Sequence, residues 1–346
     1  FSGGAKAFSS SYAVLDITDP SQLPTLLWEK SFSGMGYSTN PPCIVKVNDV
    51  WCLAVTSGPT DYDGTSTNPG RVYIADLASG TLLRTFPSGL ETSENNAVMN
   101  SPVALDKNMN YSVAAVYMGE SYTAGSPATW KAKAYKIAIP QLANSVYDPS
   151  AYDDNPANWK WVPLADFSDL PQPGYFSAPF TVSVDNKDNA WIFLGTGRYI
   201  TTADKTDENQ NYLFGLKDSF YNSRGKAEGD AQFPSCVHNY NPSGCTIGIA
   251  DLFDATSYAV KADSTIDTAN TSDVLRGKTF DNFVKEGGQK KDKQGVEVYQ
   301  GWYRRLAVTT GSPSERVVNK PAAFGGIALF PTFTPDSNLC LSGGNS

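Results

Sequence analysis

The sequence predicts an all-β fold, a β-propeller of about seven blades with long polar loop insertions. Residues that favour strands are plentiful, with 18 Tyr, 17 Phe and 7 Trp, whereas only 18% of the residues are charged. The 29 Gly and 22 Pro recur every few residues as turn formers. No long segment keeps the 3.6-residue apolar period of an amphipathic helix. Together these observations favour many short strands joined by tight turns.

Two sequence phrases alternate along the chain. The first is an apolar strand, a turn rich in Asn and Asp, and an aromatic strand ending in Gly, found at residues 44–58, 103–119 and 182–197. The second is a Tyr-containing strand, a turn and a short return strand, found at residues 12–28, 72–86, 133–139 and, truncated, 212–217. Four short strands repeated at roughly 40 to 50 residues are typical of propeller blades. The alternative is a two-sheet sandwich, which rarely repeats a phrase so regularly.

Long insertions interrupt this repeat. Residues 144–161 and 221–245 are polar and rich in Pro or Asn, so we expect loops over a propeller face, where function usually resides. We assign residues 1–346 to a single modified propeller domain. Because the chain begins at Phe1 with neither Met nor a leader, we expect a fragment of a longer exported protein.

The two ends of the chain are expected to close the ring. A propeller that stays open exposes unpaired strand edges, which natural sheets avoid. The sequence therefore predicts that residues 5–17 lie next to residues 327–333, in the same blade or in adjoining blades.

Charge and hydropathy exclude two classes of partner. The net charge is −8 and the basic residues are scattered, except for residues 285–293, where acids and glycines indicate a solvated loop. No positive stripe is present to bind a phosphate backbone, so nucleic acid is not an expected partner. No apolar stretch is long enough to span a bilayer.

The cysteines predict two local disulfides and an oxidising compartment. Cys43 and Cys52 flank a hairpin pattern whose turn at residues 48–49 places Val45 opposite Cys52, with Cys43 diagonal to Cys52 on the same face. Cys236 and Cys245 bracket a polar loop that a second bond would close.

Cys340 is left without a local partner. A cysteine outside this fragment is the expected partner. Zinc is the alternative to the disulfides, but the spacing lacks a Cys-x-x-Cys pair, and the single histidine, His238, lies inside the second loop.

Several groups of residues stand in a characteristic order and spacing. They are YAVLDITDP (12–20), GTGRYITTADKTD (195–207), YLFGLKD (212–218), GWY (301–303), ERVV (315–318) and FPTFTPD (330–336). Together they resemble the carboxy-terminal domain of PilY-type proteins of type IV pili. The resemblance spans nearly the whole chain. It implies a modified propeller on a surface-exposed protein that helps pilus assembly or retraction and, in some members, adheres at the pilus tip. The implied partners are minor pilins or other pilus components, and a host or abiotic surface.

The resemblance also implies a calcium loop with oxygen ligands at alternate positions. The matching residues are Asp106, Asn108 and Asn110, and Ser112 offers a carbonyl oxygen. Calcium affinity grows with the number of carboxylates, yet the ninth position, which takes a carboxylate in the family, is Ala114. We therefore expect weak or absent calcium binding, no other cofactor, and a polar hairpin turn as the alternative reading of this stretch.

Two further acidic loops are candidates for a cation. Asp61 and Asp63 precede a Gly turn, and residues 204–211 follow the strand that ends at Arg198. Turns rich in Asp and Asn form without metal far more often than with it. Arg198 is expected to be a structural partner of an acidic loop.

The sequence shows no catalytic constellation. Quinoprotein pockets use two adjacent cysteines, which this chain lacks, and a hydrolase triad needs a base, for which only His238 is present. A pair of glycosidase carboxylates depends on spatial separation, which the sequence does not give. We therefore predict a non-catalytic binding and assembly module of a type IV pilus at the cell surface, with a secreted propeller enzyme as the alternative.

Overall fold

Strands dominate the part of the chain that the structure describes. The structure, a computed structural model, describes residues 10–88, 93–126, 128–140, 152–171, 174–185, 190–218, 246–263, 265–273, 275–279 and 300–336. These residues contain strands and short 3-10 helices and no α-helix, so the predicted all-β class is confirmed. Within the same residues, no helix has the length and apolarity needed to cross a membrane.

The first large sheet is an antiparallel meander of four strands. It consists of β3 (Cys43–Val47), β4 (Val50–Thr56), β5 (Val72–Asp76) and β6 (Leu82–Phe86) in that order. A separate hairpin of β1 (Tyr12–Asp16) and β2 (Thr25–Lys30) packs on one face, where the ring of Trp28 covers Gly80 and its indole N–H donates to the carbonyl of Leu77 at 2.9 Å. Asn48 turns β3 into β4 with a φ of 51°, as the polar turn pattern predicts.

The second large sheet contains the longest strands. It consists of β7 (Ala97–Met99), β8 (Val103–Leu105), β9 (Ala115–Ala124), β10 (Thr129–Ala138) and β11 (Lys160–Asp166). Its order is β11-β10-β9-β7, and β8 also pairs with β9. A short 3-10 helix, Pro156–Asn158, leads into β11, so the end of the insertion predicted at residues 144–161 belongs to a strand. Residues 144–151 lie outside the described part.

The third large sheet combines neighbouring and distant strands. It consists of β12 (Thr181–Val184), β13 (Ala190–Gly195), β14 (Tyr212–Lys217), β15 (Phe253–Asp254) and β18 (Gly301–Arg305). The order is β12-β13-β14-β18-β15, and only the β15–β18 pair is parallel. Two ribbons complete the described strands. They are β16 (Tyr258–Val260) with β17 (Ile266–Thr268), and β19 (Ala322–Phe324) with β20 (Ile327–Leu329).

The large sheets pack face to face through two apolar clusters. Between the first and second sheets lie Val45, Ile74, Phe86, Val116, Ile137 and Trp161. Between the second and third lie Tyr117, Leu164, Phe167, Ile192 and Phe214. Successive side chains of a strand point to opposite faces, so the middle sheet contributes to both clusters. This stacking of sheets buries the faces that one blade alone leaves exposed.

The ends of the described chain do not share a sheet. Strand β1 pairs with β2, and β20 pairs with β19. Phe330, just after β20, lies edge-on to Phe193 and Trp302 of the third sheet. Among the described strands, β1 and β20 do not pair with each other, so a shared blade is not found, whereas the alternative of adjoining blades stays a prediction; residues 5–9 lie outside the described part.

Candidate functional site

The predicted calcium loop is a turn whose polar side chains bind its own backbone. The carboxylate of Asp106 accepts hydrogen bonds from the amide of Asn110 at 3.2 Å and that of Tyr111 at 2.7 Å. The side-chain oxygen of Asn110 accepts one from the amide of Ser112 at 3.0 Å. Asn108 donates its side-chain N–H to the hydroxyl of Tyr152 at 3.1 Å. Hydrogen bonds within the protein therefore hold the shape of this loop.

The rest of the loop offers little to a cation. Met109 and Tyr111 have left-handed backbones, with φ of 52° and 64°, and their side chains are 87% and 81% exposed. Ala114 is buried and has no side-chain oxygen. Among the described residues, no three His, Cys, Asp or Glu side chains cluster as metal ligands. The weak or absent calcium binding expected at Asp106, Asn108 and Asn110 stays a prediction.

Cys43 and Cys52 are free thiols in the structure, so the predicted bond between them is not formed in it. The predicted register is found, with Val45 opposite Cys52 and Cys43 opposite Ala54. Diagonal neighbours on an antiparallel pair lie about 7–8 Å apart. A disulfide needs Cβ atoms about 3.5–4.5 Å apart. A diagonal pair bonds only if its Cβ atoms come closer than this typical spacing, and the disulfide between Cys43 and Cys52 stays a prediction. Burial raises the pKa of the Cys52 thiol to about 11.

Arg198 joins two acidic loops that are far apart in the sequence. It follows β13, and its guanidinium donates to the carboxylate of Asp204 and to the backbone carbonyl of Asp63. The guanidinium also lies 5.3 Å from the ring centroid of Trp130 on β10. The prediction that Arg198 is a structural partner of an acidic loop is confirmed. We name residues 61–65 and 198–207 the Arg198 loops.

The carboxylates of the Arg198 loops also fix their own turns. Asp204 accepts hydrogen bonds from the amides of Ile200 at 2.7 Å and Thr201 at 2.6 Å. Asp63 accepts bonds from the hydroxyl of Thr65 at 2.6 Å and from its amide at 2.9 Å, and these two bonds lower the pKa of Asp63. Both carboxylates are therefore engaged within the protein, and a cation at either loop stays a prediction.

Arg316 is fully buried and supports the longer of the two loops from within. Its guanidinium donates to the backbone carbonyls of Arg198 at 2.8 Å, Asp204 at 2.6 Å and Asp207 at 2.9 Å. Its Nε donates to the carbonyl of Ser314 at 3.1 Å. Burial lowers the pKa of Arg316, but an arginine in a protein keeps its proton. One buried cation thus holds three points of the same loop.

The Arg198 loops present aromatic and apolar side chains to solvent. Tyr62 is 59% exposed and stacks on Tyr37 with ring centroids 5.3 Å apart. Tyr199 and Ile200 are also exposed, and Ile200 packs against Gly64, whose φ of +82° admits the close turn. Tyrosines are enriched at protein-binding surfaces because a rigid ring carries a polar tip. We name Tyr37, Tyr62, Tyr199 and Ile200 the aromatic loop surface.

Glu120 is a fully buried carboxyl on β9. One of its oxygens accepts a hydrogen bond from the hydroxyl of Tyr135 at 2.9 Å, and the other accepts one from the amide of Glu94 at 3.1 Å. Burial raises the pKa of Glu120 to about 7. Lys133, opposite Glu120 on β10, forms an ion pair with the carboxylate of Glu94. The fold thus encloses a carboxyl whose ionisation falls near neutral pH.

Lys136 forms a buried ion pair that links the second and third sheets. Its Nζ lies 2.9 Å from Oδ1 of Asp218, the residue that follows β14, and both side chains are fully buried. The hydroxyl of Tyr117 donates to the other oxygen of Asp218 at 2.5 Å. Burial lowers the pKa of Lys136 to about 8. Because the pair is enclosed between two sheets, we assign it a structural role.

Known proteins similar to this chain are pilus biogenesis factors. No protein-family model matches the chain. Type IV pilus biogenesis factor PilY1 of Pseudomonas aeruginosa strain UCBPP-PA14 is 23% identical over 354 residues, covering 96% of this chain and 28% of the relative. The PilY1 homolog of Xylella fastidiosa strain Temecula1 is 24% identical over 210 residues, covering 59% of this chain and 14% of the relative. The chain therefore spans less than a third of the curated relatives it matches.

The crystal structure of the Pseudomonas aeruginosa PilY1 carboxy-terminal domain has the same fold. It matches with a TM-score of 0.65 at 16% identity, covering 94% of this chain and 62% of that chain. Over nearly its whole length, the chain is similar to the PilY1 carboxy-terminal region. The matched domain is a β-propeller, so the predicted fold class is confirmed, whereas the count of about seven blades stays a prediction.

The sequence motif that most clearly resembles PilY-type domains forms the candidate site of this chain. Residues 195–207 contain the end of β13 and the longer of the Arg198 loops, and residues 315–318 contain Arg316 beneath it. The structure brings Asp63 and Asp204 together on Arg198. The separate loop of Asp106, Asn108 and Asn110 makes its own contacts.

The remaining predicted residues of this chain lie outside the part that the structure describes. They are Cys236, Cys245, Cys340, His238 and the basic run at residues 285–293. The sequence analysis missed the buried charges Glu120, Lys136, Asp218 and Arg316. Glu120 does leave a signal, because it is the one charged residue of β9, whereas β10 contains three lysines and does not single out Lys136.

Proposed function

We propose that this domain is a non-catalytic binding and assembly module of a type IV pilus. The observation that carries the proposal is similarity to PilY1 over 96% of the chain, joined to the fold match with the PilY1 carboxy-terminal domain. That relative is a type IV pilus biogenesis factor. We place the action of the domain at the cell surface, with minor pilins or other pilus components as partners and adhesion at the tip as a further role.

The aromatic loop surface is the proposed contact. Tyr62, Tyr199 and Ile200 are exposed on loops that Arg198 and Arg316 hold in place. A rigid surface binds with less loss of conformational entropy than a mobile one. Aromatic anchors also carry a large share of the binding energy at protein interfaces.

A secreted enzyme is the competing function. Glu120 has the raised pKa that a general acid uses, but both of its oxygens are bonded inside the fold and its side chain is fully buried. A substrate that reached this carboxyl would have to displace the hydroxyl of Tyr135. The geometry therefore favours a structural role for Glu120 and supports binding in preference to hydrolysis.

The test changes the aromatic loop surface in the full-length protein in its own host. We expect the triple variant Tyr62→Ala, Tyr199→Ala, Ile200→Ser to lower the number of surface pili while the protein level stays unchanged. The matched control replaces three exposed apolar residues at the β1–β2 hairpin by Ser. They are Leu15, Ile17 and Leu23. Normal pili in the first variant, or equal loss in both, would contradict the assignment of this surface.

A further inference from the structure

A small pocket opens beside the first large sheet, and its cationic group is Arg71. The pocket has a volume of about 200 Å³, and its walls come from the loop of Ser33 and Gly34, from Asn68 and from strands β5 and β6. None of the described residues that line it is acidic. Asn68 donates to the carbonyl of Gly34 at 3.2 Å and so joins two of the walls.

The walls of the pocket are held rigidly by the fold. The backbone of Arg71 is fixed by Ser57, because the hydroxyl of Ser57 accepts from its amide and the amide of Ser57 donates to its carbonyl, each at 2.8 Å. Tyr73 stacks on Phe32 with ring centroids 5.2 Å apart. The hydroxyl of Tyr73 donates to the carbonyl of Ser33 at 2.8 Å. A site that is formed before the ligand arrives loses little entropy on binding.

Arg71 differs from the other arginines that the structure describes. Each of those donates to a carbonyl or pairs with a carboxylate. They are Arg84, Arg198, Arg276, Arg304, Arg305 and Arg316. Within the described part of the chain, the guanidinium of Arg71 has no hydrogen bond or ion pair, although it is half-buried. The chain has 35 acidic residues against 27 basic ones, so an arginine left without an acid is notable.

We propose that the Arg71 pocket binds a carboxylate, supplied by an acidic side chain of a partner protein. A guanidinium presents a planar fork of donors that matches a carboxylate in two parallel hydrogen bonds. Ser33 and Thr85 also line the pocket, and their side chains carry hydroxyl groups, which are donors of the right kind.

The size of the pocket decides between a free ligand and a side chain. Pockets for small molecules and cofactors span roughly 300–1,000 Å³. The Arg71 pocket is smaller, which suits the carboxyl end of a Glu or Asp side chain. That the carboxylate comes from a protein rests on the proposed function, since pilus components are proteins. That the pocket binds a carboxylate does not depend on the proposed function.

The test is a titration of the ¹⁵N-labelled full chain with N-acetyl-glutamate, followed by NMR at the backbone amides of Gly34, Arg71, Tyr73 and Thr85. We expect saturable shifts. N-acetyl-glutamine, which has the same shape without the charge, should give none. The variant Arg71→Gln should weaken binding by roughly ten- to a hundredfold, the usual value of a hydrogen bond to a charged group. The control Arg276→Gln, at an exposed arginine, should leave it unchanged.

Two further measurements test the site and the nature of its ligand. Arg71→Lys keeps the charge without the fork, so it should bind more weakly than the wild type even if Arg71→Gln does not fold. Glucuronate that binds more tightly than N-acetyl-glutamate would replace the protein source by an acidic sugar. Three results would contradict carboxylate binding in the Arg71 pocket. The chemical shift changes could fail to saturate, N-acetyl-glutamine could produce the same changes, or the changes could persist in Arg71→Gln. The pocket and the proposed function can fail independently. If N-acetyl-glutamate binds the pocket but the aromatic-surface variant still has a normal number of pili, only the proposed function is contradicted.

Discussion

Lys136 and Arg316 are both fully buried cations, and the protein satisfies them in opposite ways. Lys136 lies between two sheets and pairs with the carboxylate of Asp218, which also accepts from Tyr117. Arg316 lies under a loop and donates to the backbone carbonyls of Arg198, Asp204 and Asp207. The first cation is balanced by a charge and the second by dipoles.

The difference between these two regions shows what each cation is for. A carboxylate partner on a neighbouring sheet ties two blades together at a single point, so the pair belongs to the core. A ring of carbonyls ties several residues of one loop to a single side chain, so the shape of that loop depends on Arg316. Core and candidate site are therefore stabilised by separate charged groups, and each group can be changed without touching the other.

The largest effect is expected at the core pair. Lys136→Met leaves Asp218 buried without its cation, which costs roughly 3–5 kcal/mol of unfolding free energy. Urea denaturation measures this loss. The double variant Lys136→Met, Asp218→Leu removes both charges and should recover much of the stability. If Lys136→Met were as stable as the double variant, the ion pair with Lys136 would not be what stabilises the buried carboxylate of Asp218.

A somewhat smaller effect is expected under the loop. Arg316→Lys keeps the charge, but an ammonium group cannot reach all of the carbonyls that the guanidinium bonds, and the loss should be about 2–4 kcal/mol. Limited proteolysis should then show faster cleavage within residues 198–207. If the variant were cleaved no faster than the wild type, the conformation of this loop would not depend on Arg316, and the proposed difference between Arg316 and Lys136 would be contradicted.

Glu120 extends the comparison to a buried anion with a pH signature. Its folded pKa of about 7 lies above the ordinary 4.5, so the stability it contributes is full below pH 4.5 and is lost as the pH rises through 7. Glu120→Gln has no such loss. Relative to the wild type, it should gain roughly 3 kcal/mol between pH 4.5 and pH 8 in urea denaturation. The control Glu29→Gln, at an exposed carboxyl, should show no such gain, and a pH-independent difference for Glu120→Gln would refute the assignment.

The smallest effect is expected from calcium. Both carboxylate oxygens of Asp106 accept backbone amides, and Ala114 supplies no second acid, so the loop should be nearly empty of calcium at millimolar concentration. Melting curves with millimolar calcium and with a chelator should coincide within about a degree. A rise of many degrees would show that another loop, at Asp61 with Asp63 or at Asp204 with Asp207, binds the ion.

Local features of this domain could be predicted from the sequence. The turn at Asn48 and the pairing of Val45 with Cys52 follow from strand alternation across a short hairpin, and the structure has both. The role of Arg198 was predictable because its acidic loop lies six residues away. The disulfide predicted from the same hairpin is not formed in the structure and stays a prediction, because the register alone does not fix the distance between the two sulfurs.

Long-range pairs could not be predicted. Lys136 and Asp218 are 82 residues apart, and Arg316 bonds the carbonyl of Arg198 across 118 residues. Which distant charges meet depends on how the sheets stack, and the period of a single strand says nothing about that. The pairing of β18 with β14 is also unpredictable locally, because a long segment separates the two strands.

The most direct test of the central claim is photo-crosslinking from the aromatic loop surface in the full-length protein in its host. A photoreactive residue in place of Tyr62 is expected to crosslink to pilin subunits or other pilus components, identified by mass spectrometry. The same residue in place of the exposed Leu23, on the β1–β2 side, is the control and should give few or none. Crosslinks to pilus components at Tyr62 alone support a pilus-binding module. Their absence at Tyr62, with the protein folded and exported, would contradict it.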